Sequence, residues 1–128
     1  MENKRRLFIL SILGIIIILS FLFGGERSST VHFGIIADVH KDIMHDADER
    51  LNTFISEMNS KKVDFIIQLG DFCRPYSYND GFLNIWNSFE GPVFHVLGNH
   101  DMDGGFSRSQ TMAYWGMPKK YYAFDQKA

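Results

Sequence analysis

Three short clusters in this sequence hold the side chains that could do chemistry. They are Asp38-Val39-His40, Gly70-Asp71 and Gly98-Asn99-His100-Asp101, and each follows an apolar run. Polar groups at the edge of a core are costly unless something satisfies them. Carboxylates, imidazoles and an amide oxygen together suit a divalent cation. Asp38 and His40 are two apart, so on an extended segment they point to one side and can share an ion. Asp71 has two carboxylate oxygens and can bridge two ions. Two-metal hydrolytic sites hold their ions about 3.5–4 Å apart, a span one carboxylate covers. Gly70, lacking a side chain, lets the backbone turn and leaves room. Asn99 offers a neutral carbonyl oxygen to the second ion. His100 comes next and should point differently, which suits a proton donor or a phosphate contact. Asp101 is expected to fix the His100 tautomer and raise its basicity through a hydrogen bond. The mixed O/N donor set suits Mn, Fe, Zn or Ni rather than Ca.

Something must carry these clusters to one place. Val31 to Ala37, Val63 to Leu69 and Pro92 to Leu97 are apolar runs of strand length, and each ends at one cluster. Between the first two, Leu51, Phe54, Ile55 and Met58 mark one face of a helix. Asp46, Asp48 and Glu49 lie near its start and Lys61 and Lys62 at its end, as the macrodipole favours. Phe82, Ile85, Trp86 and Phe89 mark a second helix. Ser107 and Gln110 predict a capping box for a short helix through Tyr114. Tyr121 to Phe124 is expected to begin a fourth strand. The order is β-α-β-α-β. Strands joined by helices predict an α/β fold with a parallel sheet covered on its faces. Ligands bind such sheets outside the carboxyl ends of the strands.

In these residues the chain resembles the calcineurin-like metallophosphoesterases. D-x-H at Asp38–His40, G-D at Gly70-Asp71 and G-N-H-D at Gly98–Asp101 look like the family's first three blocks, about thirty residues apart. The resemblance runs from Val31 to about Asp125. It implies the N-terminal half of a two-sheet αββα sandwich and a dinuclear site hydrolysing phosphomonoesters, phosphodiesters or diphosphates. It implies Asp38, His40 and Asp71 on one ion and Asp71 with Asn99 on the other, with His100 and Asp101 as the catalytic pair. The family completes its site with a further His and a G-H-x-H block, both downstream, and neither lies within residues 1–128. The expectation is therefore a C-terminally truncated phosphoesterase domain over 31–128. It should be inactive by itself, with one apolar sheet face left uncovered.

The remaining composition narrows partners and location. Residues 7–23, LFILSILGIIIILSFLF, carry no charge and follow the basic flank of residues 1–6, with Lys4, Arg5 and Arg6. The run reaches the lower limit for a spanning helix and is longer than the usual signal core. Gly24-Gly25-Glu26 offers no A-x-A cleavage site. An N-terminal hydrophobic helix is expected, either as a membrane anchor or as a signal peptide. Its basic flank is cytoplasmic and the rest faces the extracytoplasmic side, or is secreted if the signal is cleaved. Residues 24–30 read as a flexible linker. From Gly24 onward there are fourteen Asp/Glu against ten Lys/Arg and no basic stripe, which excludes electrostatic nucleic-acid binding. The one cysteine, Cys73, excludes an internal disulfide.

Blander roles suit the other candidates. His95 alternates with Val93 and Leu97 and reads as a core or face histidine. His32 and His45 read as solvated. Cys73 reads as a small buried filler. Arg74, Tyr76 and Tyr78 read as a plain loop rather than a substrate rim, and Trp115, Tyr121 and Tyr122 as packing. Two competing functions remain: a non-catalytic chain with a half-formed metal site, and an α/β module binding one Mg. The second explains G-N-H-D poorly, because a simple Mg pocket needs no Asn-His-Asp run.

Overall fold

A computed structural model describes residues 30–126. Residues 1–6, the predicted anchor or signal over 7–23 and nearly all of the predicted linker lie outside the described residues. Among the described residues, no helix is long and apolar enough to cross a membrane.

The element order is β1 (Phe33–Ile36), α1 (Ala47–Lys61), β2 (Phe65–Gln68), α2 (Asp80–Trp86), β3 (Val93–His95) and α3 (Arg108–Trp115). Short 3₁₀ turns at Ser77–Asn79 and His100–Met102 precede α2 and α3. The strands form one parallel sheet in the order β1-β2-β3. Phe33 pairs with Phe65, and Ile67 lies between Ile35 and Phe94. Parallel strands need long crossovers, and the helices supply them. All three carboxyl ends therefore lie along one edge of the sheet.

The two sheet faces differ. Ala47, Leu51 and Ile55 of α1 are buried, as are Phe82, Leu83 and Trp86 of α2. They pack with Ile66, Phe72 and Trp115 in one core. The Phe72 ring sits 4.8 Å from Phe82 and 5.3 Å from Trp86. On the opposite face, Phe33 is 50%, Ile35 52%, Leu69 47% and Val96 42% exposed. These residues alternate with the helix-facing ones, so this is one apolar face that the described helices do not cover. The expectation of covered faces holds for one side only. Phe65 on the open side is shielded locally, by Phe33 stacked at 5.0 Å and by the edges of Phe94 and Phe124.

The capping box forms as predicted. The Ser107 hydroxyl accepts from the Gln110 N–H, and the Ser107 N–H donates to Gln110 Oε1. The expected fourth strand does not form. The Tyr122 hydroxyl takes the edge of β3 instead, accepting from the His95 N–H at 2.9 Å and donating to its carbonyl at 2.8 Å. A side chain thus satisfies backbone groups that a strand would have paired. Tyr121, expected to pack, is 86% exposed.

His95 is buried, and its Nδ1 lies 3.1 Å from the Gln68 amide nitrogen. The amide donates, so the ring is neutral with its proton on Nε2. Burial pushes the His95 pKa down to about 4. Between about pH 6.5 and pH 4 the unfolded chain binds a proton there that the folded chain refuses. Stability must therefore fall as pH drops through that window, by up to about 3 kcal/mol. Urea titrations at pH 7 and pH 4.5 should show this loss in the wild type and a smaller one in His95→Leu. Equal losses in both would remove His95 as the cause.

Candidate metal centre

Backbone pairing does not stop where the strands end. The Asp38 N–H donates to the Gly70 carbonyl at 3.2 Å and the His40 N–H to the Asp71 carbonyl at 2.9 Å. The segments after β1 and β2 are thus held side by side. Asp38, His40 and Asp71 offer donor atoms that all lie within 4.8 Å of one another. His40 Nε2 stands 3.8 Å from both Asp38 Oδ1 and Asp71 Oδ2. One imidazole and two carboxylates at that spacing can close on a divalent ion with bonds of about 2.0–2.2 Å. The donor set fits the metal that the sequence implied.

The route to this geometry differs from the expectation. Asp38 and His40 are not extended. They have φ of 54° and 50°, Asp71 has 52°, and the other non-glycine residue with positive φ among the described residues is Lys62, at the end of α1. A non-glycine residue in this region costs roughly 1–2 kcal/mol. Three of the four such residues are the three proposed ligands, and strained backbone gathers at functional sites. Val39, between two of them, is buried in the core and anchors the turn.

Two glycines let the second and third strand ends meet. Gly70 has φ of 102°, and a Cβ there would stand 2.6 Å from the Gly98 nitrogen. A Cβ on Gly98 would collide with the Asp71 carboxylate and backbone nitrogen. Asn99 follows directly. It is exposed, and its side chain makes no hydrogen bond among the described residues. Its carbonyl oxygen is therefore free to take a ligand. The His100 N–H donates to Asp71 Oδ1 at 2.9 Å, and the His100 ring lies 5.6 Å from that of His40.

The structure corrects the pairing of His100. Asp101 does not touch its ring. The Asp101 carboxylate is buried and accepts from the N–H groups of Asp71, Phe72 and Gly98 at 2.9, 2.7 and 2.8 Å. Burial raises its pKa, and those N–H groups pull the other way. The partner of His100 is Asp103, whose Oδ2 lies 2.9 Å from Nδ1. This hydrogen bond raises the His100 pKa and lowers that of Asp103. Arg74 also reaches Asp103, at 3.3 Å. Asp103 was missed in the sequence, although His-x-x-Asp was there to be read. In a 3₁₀ turn, side chains three apart eclipse.

The remaining loop residues support this edge. Asp42 accepts from the Arg74 N–H, the Tyr78 hydroxyl and the Asn79 amide. Cys73 is buried, and burial pushes its thiol up to about 12, which makes it a filler rather than a nucleophile. His32 and His45 are exposed, as expected.

Comparisons with known proteins agree with this geometry. A family model described as calcineurin-like phosphoesterase matches residues 31–127. The fold is similar to that of a dimetal phosphatase from Danio rerio, with a TM-score of 0.53 and 19% identity. The alignment covers 67% of this chain, and the chain spans 34% of that structure. No curated protein gives a significant match. With a family match that begins where β1 is about to start and continues past α3, the chain belongs to the calcineurin-like phosphoesterase family.

Proposed function

We propose that the protein is a metal-dependent phosphoesterase acting on a phosphomonoester, phosphodiester or diphosphate. The observation that carries this is the meeting of Asp38, His40 and Asp71, from two strand ends, within 4.8 Å. Asp38, His40 and Asp71 would hold one divalent ion, and Asp71 with Asn99 the second. The ions would supply charge neutralisation at the phosphate oxygens and an activated water. The chain's own residues do the rest. His100, held by Asp103 through Nδ1, keeps Nε2 for a proton passed to the leaving oxygen. Arg74 keeps the Asp103 carboxylate in place.

The neighbouring phosphatase structure is described as dimetal, which supports two ions here. Its greater length supports the reading that the remaining histidine ligands come from outside residues 1–128. The test is Mn(II)-dependent hydrolysis of p-nitrophenyl phosphate and bis-p-nitrophenyl phosphate. It is run on the 128-residue chain and on the chain extended along its reading frame through a G-H-x-H block. The extended protein should be active, the shorter one inactive, and chelation should abolish the activity. A metal-loaded extended protein that hydrolyses neither ester would overturn the reading.

We further propose that the domain is exported and membrane-anchored. Lys4, Arg5 and Arg6 before the uncharged run at 7–23 support this orientation. Alkaline phosphatase fused after Thr30 should be active and stay with membranes. A fusion active only as a cytoplasmic reporter would refute export.

A further inference from the structure

The three strand ends are not tied together in the same way. Those of β1 and β2 are joined by main chain, through Asp38 N–H to Gly70 carbonyl, His40 N–H to Asp71 carbonyl and Lys41 N–H to Phe72 carbonyl. Those of β2 and β3 share one main-chain bond past the strands, from the Val96 N–H to the Gln68 carbonyl. Beyond it Gly70 and Gly98 bring the two backbones into close approach, but no further main-chain hydrogen bond joins them among the described residues. Side chains hold that close approach: the Gln68 amide accepts from the Gly70 N–H and donates to the Val96 carbonyl, and two carboxylates do the rest. Asp101 Oδ2 accepts from both Asp71 N–H and Gly98 N–H, and Oδ1 from Phe72 N–H. Asp71 Oδ1 accepts from the His100 N–H. Asp101 is 1% exposed, so water cannot replace it.

We propose that Asp101 is a positioning residue that sets the gap between the ends of β2 and β3, and with it the place of Asn99 relative to Asp71. The assignment rests on the metal reading above and deepens it. Asp101 touches neither substrate nor ion. It holds the two backbones from which Asp71 and Asn99 project, and those two residues are the ligands shared by the second ion. The first ion takes its ligands from the β1 and β2 ends, which the main chain already holds. Loss of Asp101 should therefore act on the second ion and spare the first. Asp101→Asn is nearly the same size, but it replaces one acceptor with an NH₂ group that must face an N–H. At least one of the three amides loses its partner, and the two ends loosen.

The experiment is a Mn(II) titration, in detergent, of the protein extended along its reading frame through a G-H-x-H block, with free Mn(II) counted by electron paramagnetic resonance. Wild type, Asp101→Asn and Asp101→Glu are compared, with amide hydrogen exchange on the same samples. The wild type should take up two ions, the second more weakly. Asp101→Asn should weaken the second ion about 10–100-fold, the range for lost outer-sphere partners, and leave the first nearly unchanged. Asp101→Glu, which keeps both oxygens, should recover part of the loss. Exchange should quicken at Gly98 and Phe72 while Asp38 and His40 stay protected. Equal weakening of both ions, or none, would overturn the assignment alone. So would unfolding of both variants, which would make Asp101 a support of the whole fold. A wild type that takes up fewer than two ions would overturn the second-metal reading, and this assignment with it.

Discussion

Asp71→Asn should strip both ions from the protein while leaving its fold intact. Asp71 is the one residue whose carboxylate serves both proposed ions, so no other single change removes as much. Its Oδ2 faces His40 Nε2 at 3.8 Å, and its Oδ1 already accepts the His100 N–H. Asn keeps one oxygen, enough for that N–H, but it has no charge and cannot bridge. Asn also tolerates the positive φ of 52° that Asp71 adopts, which Ala does not. The loss of metal affinity should exceed the roughly 100-fold that an outer-sphere change costs, because a direct ligand to both ions is gone. Asn99→Ala should instead weaken mainly the second ion. Metal analysis and a melting curve on the same samples check this. Two full equivalents in Asp71→Asn would refute the shared-ligand role.

His100→Ala should leave the metal content unchanged and lower kcat in the active, extended protein by about 10²–10⁴-fold, the usual contribution of a general acid or base. The ring makes no contact that holds Asp71. That link is the His100 main-chain N–H, which Ala keeps. Asp103→Ala should cost less, because it removes only the acceptor that holds the ring at Nδ1. Asp101→Asn, by contrast, should behave as a metal-site variant. Steady-state kinetics with metal content measured in parallel separates these outcomes. If His100→Ala lost metal and kept its turnover per bound ion, His100 would be a ligand rather than a proton donor.

The candidate metal ligands were legible because each cluster of them ends an apolar run. Strand, crossover helix and strand put those ends on one edge, whatever the local turn geometry. The main face of α1 was legible for a similar reason. Leu51 and Ile55 are buried, and Phe54 and Met58 pack against the core. The turns were harder to read. Asp38 and His40 meet through two left-handed residues rather than by strand alternation, and spacing alone does not separate those two routes to the same side. Asp101 and Asp103 are both within reach of His100 in the sequence. The 3₁₀ turn over His100–Met102 decides between them, sending Asp101 inward to three amides and bringing Asp103 back over the ring. Tyr121 to Phe124 has a strand's composition. What it does depends on the Tyr122 hydroxyl, a side-chain bond that no periodicity announces. The open sheet face was expected from the family's architecture, not from the residues themselves. The runs VHFGIIA and VDFIIQL look buried on both sides, yet Phe33, Ile35 and Leu69 are about half exposed.

On the reading proposed here, the three strand ends form one metal site. Anomalous X-ray scattering from crystals of the protein grown with Mn(II) tests it most directly. One strong peak is expected within bonding distance of Asp38, His40 and Asp71, and a second, weaker peak between Asp71 and Asn99, about 3.5–4 Å from the first. Peaks elsewhere, or none at these residues with Mn(II) bound in solution, would contradict it.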